Sequence, residues 1–308
     1  MPETPAVLFL IFNRPQTTVR VFERIRQAKP SRLYISSDGP RAHKEGEFER
    51  VQQTRAIVEQ IDWPCEVKTL FRDENVGCGR AIAGGITWFF EHEEEGIILE
   101  DDCVPDPSFF PFAAELLARY RHDDSVGIIA GSNFQFGKNK TPESYYWSRY
   151  MHCWGWATWR RMWKHFDYEV KDWPAFRDAG GLSKMFGDDE RAKAYWTRRF
   201  DVMLDPELQK AEHIDAWDYQ FFFACLKQGV MNAMPNVNLV QNIGFISGDA
   251  THTHRKSELA EMPVTPIQFP LVHPATKIRN AAADDFTERQ QFGKRSFWKK
   301  VHDRLVYR

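Results

Sequence analysis

The chain has 308 residues, of which 43% are apolar, and its 41 basic and 43 acidic side chains leave a net charge of −2. This composition is ordinary for a globular protein, which excludes wholesale disorder, and the near-zero charge gives no indication of a nucleic-acid-binding protein. The five cysteines are scattered without a Cys-x-x-Cys pair, which argues against a zinc site or a disulfide framework and fits a reducing compartment.

Short apolar runs alternate with amphipathic segments through the first half of the chain. Strands are predicted at residues 6–12, 33–37, 65–71, 96–99 and 126–130. Helices are predicted between them, at residues 17–28, 44–60, 80–92 and 109–120. This alternation predicts an α/β fold with a mostly parallel, doubly wound central sheet flanked by helices.

Three regions follow one another without a Gly/Ser-rich linker. Residues 1–135 carry the strand–helix alternation, and residues 136–260 are aromatic-rich and less regular, which favours an extension of the same domain. Residues 261–308 are rich in proline, alanine and charge, so we expect this extension to wrap the surface or to be mobile.

Polar residues collect where the predicted strands end. The first strand is followed by Asn13 and Arg14, the second by Asp38, and the third by a glycine-rich turn that reaches Arg80. In a doubly wound sheet these strand ends lie along one edge, which is where such sheets bind ligands. Each has a simpler explanation taken singly, since Asp38-Gly39-Pro40 is a common turn sequence. Together they predict a nucleotide site, because a nucleoside diphosphate needs carboxylates for its ribose or base and arginines or helix amides for its phosphates.

The fourth strand ends in three adjacent acidic residues, Glu100, Asp101 and Asp102. Carboxylates this close repel one another, so the cluster favours a site completed by a cation and a phosphate-bearing ligand. The alternative is a solvated acidic turn before the helix that begins near Ser108.

The first half of the chain resembles the GT-A glycosyltransferases, whose Rossmann-like fold binds nucleotide sugars. Leu99-Glu-Asp-Asp102 with the following Pro-Asp-Pro resembles the Glu-Asp-Asp form of the Asp-x-Asp motif in the N-acetylglucosaminyltransferase I family. Phe12-Asn13-Arg14 and Ser37-Asp38 resemble that family's nucleotide-binding segments, and Gly155-Trp156 resembles a segment near the acceptor. Residues 238–254 are also similar to bacterial glycosyltransferases of surface-polysaccharide gene clusters.

The resemblance implies a set of roles for these residues. Residues 1–135 would bind the nucleotide sugar, and residues 136–260 would bind the acceptor and complete the catalytic site. Direct ligation of a divalent cation, Mn²⁺ or Mg²⁺, falls to Asp102. The donor-binding residues would be Asn13, Arg14, Asp38, Arg80, Glu100 and Asp101.

Asp218 is the candidate general base. Inversion at an anomeric carbon needs a base on the face opposite the leaving group, to take the proton of the acceptor hydroxyl. Ala216-Trp217-Asp218 resembles the family's Trp-Asp-Asp segment, in which the first Asp is that base, although Tyr219 stands here in place of the second Asp. The alternative is that Asp218 or Asp215 caps the helix that begins at this point.

Two further groups complete the candidate site. In Thr251-His252-Thr-His254 the two histidines of an extended segment point the same way, and His252 is a candidate second metal ligand, with a surface loop as the alternative. Seven of the eleven tryptophans lie between residues 145 and 196. Most of these should be core, while Trp154, Trp156 or Trp217 could form an aromatic wall for an acceptor sugar.

These observations predict a metal-dependent, inverting glycosyltransferase that moves a sugar from a nucleoside-diphosphate sugar to a glycan or lipid-linked glycan in bacterial surface-polysaccharide synthesis. A retaining transferase, or a noncatalytic carbohydrate- or nucleotide-binding protein on the same fold, remains open. A nucleotidyltransferase is disfavoured, because no glycine-rich loop follows the first strand. We expect a cytoplasmic protein, since the first apolar run is too short for a signal peptide. The basic end at residues 294–308 could contact the inner membrane peripherally or simply be a solvated or packed helix.

Overall fold

The structure, a computed structural model, describes residues 3–138, 141–245, 258–259 and 262–292. The strands in this part of the chain are β1 Val7–Ile11, β2 Arg32–Ser37, β3 Glu66–Phe71, β4 Glu95–Glu100, β5 Cys103–Pro105, β6 Val126–Ala130, β7 Tyr145–Ser148, β8 Trp156–Trp159, β9 Met231–Pro235 and β10 Val240–Asn242. The α-helices are α1 Pro15–Ala28, α2 Glu47–Arg55, α3 Cys78–His92, α4 Phe109–Tyr120, α5 Arg160–Trp163, α6 Trp173–Asp178, α7 Gly181–Phe186, α8 Glu190–Leu204, α9 Pro206–Ala211, α10 Asp218–Gln228 and α11 Ala281–Thr287.

An eight-stranded sheet in the order β3-β2-β1-β4-β8-β6-β9-β7 forms the centre of the molecule. Only β7 and β8 run against the other strands, so the sheet is mostly parallel. A second, two-stranded sheet pairs β5 with β10 and ties the turn after the acidic cluster to the end of the second half. The predicted α/β class with a mostly parallel sheet flanked by helices is therefore confirmed.

The middle of the central sheet is buried on both faces. Along β1, Val7, Phe9 and Ile11 pack into one hydrophobic cluster, while Leu8 and Leu10 pack into a second cluster on the opposite face. Successive side chains of a strand point to opposite faces, so a run of apolar residues without alternation is what a strand covered by helices on both sides requires.

The structure differs from the sequence-based elements in two ways. The predicted helix at 44–60 is shorter: α2 ends at Arg55 and a 3₁₀ turn, Ala56–Gln60, follows it. In addition, β8 inserts between β4 and β6 and runs antiparallel to both. A four-residue strand rich in tryptophan carries no local signal of its direction, which is set by its distant partners.

Residues 262–292 run along the outer edge of the sheet. Arg279 forms a bridge with Trp147 of β7, and Asp284 of α11 accepts hydrogen bonds from the backbone N–H and the guanidinium of Arg149. This extension is thus fastened to the domain by a buried carboxylate. Among the described residues, no helix has both the length and the apolar character that crossing a bilayer requires.

Candidate active site

The register between β1 and β4 brings the first and fourth strand ends together. Leu10 lies opposite Glu100 in the parallel pair, so the residues after each strand are neighbours at the carboxyl edge of the sheet. The Phe12 backbone N–H donates to Asp101 Oδ2 at 3.1 Å. Arg14 Nη1 donates to Asp102 Oδ2 at 2.8 Å and approaches Asp101 Oδ1 at 3.4 Å. The two strand ends that the sequence marked as polar therefore form one site.

The acidic cluster has strongly perturbed protonation equilibria. Asp101 is only 6% exposed, and its burial raises its pKa to about 7 against the opposing charge of Arg14. Burial also raises the pKa of Glu100, and the negative charges of Asp102, Asp101 and Asp218 raise it further. Burial and repulsion both favour the neutral acid, so the cluster readily retains a proton unless a cationic ligand arrives.

Asp218 is brought to this cluster from the second half of the chain. It is the first residue of α10, and its charge is among those that raise the pKa of Glu100 and of the Cys153 thiol. The structure therefore brings the candidate base and the candidate donor-binding carboxylates within electrostatic reach of one another. A base and a phosphate-binding cluster in one site is the arrangement that sugar transfer needs.

Asp215 caps a helix other than its own. Its Oδ2 and Oδ1 accept hydrogen bonds from the backbone N–H groups of Cys78 and Gly79 at 2.7 and 2.8 Å. These N–H groups belong to the first turn of α3, so Asp215 satisfies donors that are left unpaired at the start of every helix. The helix amides considered for a donor phosphate are thus already occupied by a protein carboxylate, which corrects that expectation.

Asp38 also accepts hydrogen bonds from groups of the protein itself. Oδ1 accepts from the backbone N–H groups of Gly39 and Val76, and Oδ2 accepts from Asn75 Nδ2 and again from Val76. The Val76 N–H is shared by both oxygens, so three donors bind this buried carboxylate. Asp38 therefore fastens the turn after β2 to the loop after β3, and its expected contact with the nucleotide stays a prediction.

Glu47 is a site residue that the sequence did not reveal. It is fully buried beside Asn13, whose Nδ2 donates to Glu47 Oε1 at 2.8 Å, and it accepts the backbone N–H of Arg41 at 2.7 Å and that guanidinium's Nε. Burial alone would raise the pKa of Glu47, but the hydrogen bonds and charge of Arg41 lower it to about 2. This ionised carboxylate holds the segment after β1 in place. The sequence around Glu47 does not indicate this role, because its partner Asn13 is 34 residues away.

Arg80 lies in the first turn of α3. Its guanidinium is 4.5 Å from the centre of the Tyr168 ring, in a cation–π contact. Arg14 is the arginine whose charge acts on Glu100 and Asp101. Arg80 lines a cavity, and its expected contact with the donor phosphates stays a prediction.

That cavity, of about 520 Å³, lies between the two halves of the domain. The first half contributes Val76 and Arg80, and the second contributes three segments: the loop after α5, the α8–α9 junction and the residues before α10. Its size is typical of small-molecule sites. Asp215, which caps α3, is one of its lining residues.

Trp156 and Trp217 are core residues. Trp156 is 0% exposed on β8 and stacks on Trp217 with ring centres 5.6 Å apart, within the cluster that covers one face of the sheet. Trp156 therefore has no surface exposed to a cleft in this structure, and its expected contact with an acceptor stays a prediction. Trp217 is also buried, while Trp154 is partly buried and packs edge-on against Phe245. The clustered tryptophans of this region therefore mainly form hydrophobic core.

The described residues do not form a ready-made metal cage. Across residues 3–138, 141–245, 258–259 and 262–292, no three His, Cys, Asp or Glu side chains converge as ligands. The carboxylates do fit a different mode, in which one Asp and the oxygens of a bound diphosphate share a cation, as is common for Mg²⁺. Asp102 is the residue that fits this mode, and Arg14 supplies the positive charge before a ligand binds. His252, the candidate second ligand, lies outside the described residues, as does the basic end at 294–308.

No protein-family model matches the chain, and no curated protein matches it. Among solved structures, residues 1–349 of TarS from S. aureus share 12% identity and a TM-score of 0.38, over 54% of this chain and 51% of that one. HddC from Yersinia pseudotuberculosis shares 12% identity and a TM-score of 0.34, over 56% of this chain and 86% of that one. The inositol-1-phosphate CTP transferase from T. maritima shares 9% identity and a TM-score of 0.33, over 53% and 73%. The chain thus spans about half the length of the TarS structure.

Proposed function

We propose that this protein is a metal-dependent, inverting glycosyltransferase of GT-A type that uses a nucleoside-diphosphate sugar. The observation that carries the proposal is the convergence of Asp218 with the carboxylates at the end of β4, where the charge of Asp218 raises the pKa of Glu100. Two halves of one domain thereby contribute a base and a donor-binding cluster to the same edge of a parallel sheet. The sequence similarity of residues 238–254 favours an acceptor in bacterial surface-polysaccharide assembly.

Arg14 is the residue that we assign to the donor diphosphate. Its planar guanidinium matches the geometry of phosphate oxygens, and it is only 18% exposed, beside two carboxylates. A diphosphate that enters the site offers this arginine a new partner and frees Asp102. A divalent cation held between Asp102 and the diphosphate would stabilise the negative charge that develops on the leaving group.

Asp218 and Glu100 divide the proton chemistry between them. Asp218, at the start of α10, takes the proton of the acceptor hydroxyl as that oxygen attacks the anomeric carbon from the face opposite the diphosphate. Glu100, whose pKa burial raises, is kept in its neutral form and can donate a hydrogen bond to a donor hydroxyl.

The decisive experiment is a thermal-shift panel of nucleoside diphosphates and nucleotide sugars with Mn²⁺ or with chelator. A native-state ligand raises the melting temperature, so we expect one base to stabilise the protein only when Mn²⁺ is present. Asp102→Asn should remove that shift, whereas Asp73→Asn, an exposed carboxylate on the loop after β3, should keep it. Absence of a shift with every nucleotide would overturn the proposal.

A second arm tests the base. With a donor identified, Asp218→Asn should retain the full nucleotide shift while slow hydrolysis or transfer of the donor sugar falls by at least about 10²-fold. Turnover at the wild-type rate would remove Asp218 from the mechanism and leave a retaining transferase as the better description.

A further inference from the structure

The cavity between the two halves is the second feature of this surface with the size of a ligand site. It measures about 520 Å³, and its lining includes Asp215, which lies three residues before Asp218 in the chain. Resting on the glycosyltransferase function proposed above, we infer that this cavity binds the acceptor, and that the acceptor is a saccharide with an anionic group, a carboxylate or a phosphate, which Arg80 recognises.

One cation of the cavity has no salt bridge. The two carboxylates and two cations of the lining sum to no net charge; Asp215 accepts hydrogen bonds from the α3 N–H groups, and Glu169 pairs with Lys171 at 2.8 Å. Within the described ranges, Arg80 forms no ion pair with a carboxylate. A cation whose neighbours are already satisfied is available for a negatively charged group of a ligand.

Tyr168 holds this arginine in place. The guanidinium lies over the Tyr168 ring at 4.5 Å, and the Tyr168 hydroxyl lies close to Gly79 and Asp215, near the start of α3. A cation–π contact positions the charge without requiring the N–H donors for a carboxylate or a carbonyl. The contact favours one position of the exposed Arg80 side chain before a ligand arrives, which lowers the entropy lost on binding.

The remaining wall suits a sugar ring. Val76 is 44% exposed and Leu204 is 38% exposed, and both line the cavity with Met203 and Ile214. Exposed apolar side chains that surround a few polar groups are typical of small-molecule sites, and the C–H faces of a pyranose ring can pack on such a wall. An entirely apolar ligand would leave Arg80 without a partner, and a free inorganic anion would not cover the apolar wall.

Position distinguishes this cavity from the donor site. Arg14 and the acidic cluster lie at the ends of β1 and β4, whereas the cavity extends from the loop before α3 towards α8 and α9. A saccharide in the cavity would lie beside the start of α10, where Asp218 can accept a hydroxyl proton. The acceptor and donor sites would therefore meet at Asp218.

Saccharide probes test this inference directly. Binding of methyl β-D-glucuronide, glucose 6-phosphate and uncharged methyl β-D-glucoside is measured by saturation-transfer NMR on wild type, Arg80→Gln and Arg20→Gln. Arg20 is an exposed arginine of α1 and serves as the matched control. We expect at least one charged probe to bind wild type and Arg20→Gln roughly tenfold more tightly than the glucoside, and Arg80→Gln to lose that preference. The stronger of the two charged probes identifies the anion as carboxylate or phosphate.

Two results would overturn the inference. One is equal binding of charged and uncharged probes to wild type, and the other is a charge preference that survives in Arg80→Gln. The nucleotide thermal shift is measured on the same variants, and Arg80→Gln should keep it in full. Loss of that shift would return Arg80 to the donor site and refute its acceptor role, whereas a wild type that binds no nucleotide refutes the enzyme proposal itself.

Discussion

Arg14 Nη1 donates to Asp102 Oδ2 at 2.8 Å, so an arginine from the end of β1 pairs with the acidic turn at the end of β4. The same guanidinium reaches Asp101 at 3.4 Å, and all three side chains are less than one-fifth exposed. One positive charge thus offsets part of the negative charge of the cluster before a ligand binds. An incoming cation has to compete with Arg14 unless a diphosphate draws the arginine away.

This ion pair predicts how the ligand-free protein responds to metal. Without nucleotide, adding Mn²⁺ or chelator to the wild type should shift the melting temperature by less than about 1 °C, whereas Mn²⁺ should stabilise Arg14→Gln by several degrees. Arg14→Gln should itself lower the free energy of unfolding by about 2 kcal/mol, because Asp101 and Asp102 lose their counter-charge. Thermal unfolding, with Arg20→Gln as control, measures the Mn²⁺ shift and the loss of stability. A large Mn²⁺ shift in the ligand-free wild type would contradict a competition between Arg14 and the cation.

Asp215 and Asp218 should respond to substitution in opposite ways. Asp215→Ala leaves the Cys78 and Gly79 N–H groups without their acceptor and should cost about 1–2 kcal/mol of stability. Asp218→Asn should change stability by less than about 0.5 kcal/mol while stopping transfer. Urea unfolding of both variants tests the helix cap at Asp215, and a donor-turnover assay of both tests the general base at Asp218. A destabilised Asp218→Asn beside an unaffected Asp215→Ala would reverse the two assignments.

The sequence predicted most of the sheet because its signals are local. Apolar runs such as Val7–Ile11 and Val126–Ala130 are short and bounded by turn residues, and both are strands in the structure. The position of Arg14 and Asp101 at one edge follows from parallel pairing alone. The antiparallel direction of Trp156–Trp159 has no such signal, since it depends on strands far away in the chain.

The sequence did not reveal the distant partners of the site residues. Asp215 was considered as a cap for the helix that follows it, yet its partners Cys78 and Gly79 precede it by 137 and 136 residues. Asp38 was expected to contact a ligand, and the structure adds its hydrogen bonds to Asn75 and Val76. A carboxylate that binds a substrate and one that binds a loop have the same sequence signature, and only tertiary structure separates them.

Gly244 offers a way to disturb Asp102 without removing its charge. A Cβ at this position would clash with Asp102 Oδ2, and the nearest other atom is Asn242 Oδ1 at 3.0 Å. Gly244→Ala should therefore displace the carboxylate and weaken Mn²⁺-dependent nucleotide binding at least roughly tenfold. Gly84→Ala is the control, because its Cβ would meet only the end of the Arg72 side chain, which can move. Isothermal titration of the identified nucleotide decides, and unchanged affinity in Gly244→Ala would remove Asp102 from the binding site.

Glu47 predicts an acid-sensitive contribution to stability. Its pKa is lowered from 4.5 to about 2 in the folded protein, so its stabilisation is fully present above pH 4.5 and is lost as the pH falls towards 2. Glu47→Gln should cost about 2 kcal/mol at pH 7, because Arg41 and Asn13 lose an ionised acceptor. Urea unfolding of the wild type and Glu47→Gln is measured at pH 7, 5, 4 and 3.5. The difference between their free energies of unfolding should shrink below pH 4.5, because Glu47 then binds a proton in the unfolded wild type but stays ionised in the folded one. Glu49→Gln, an exposed carboxylate two residues along α2, should show no such convergence. A difference for Glu47→Gln that stays constant down to pH 3.5 would mean that Glu47 is not held ionised by this network.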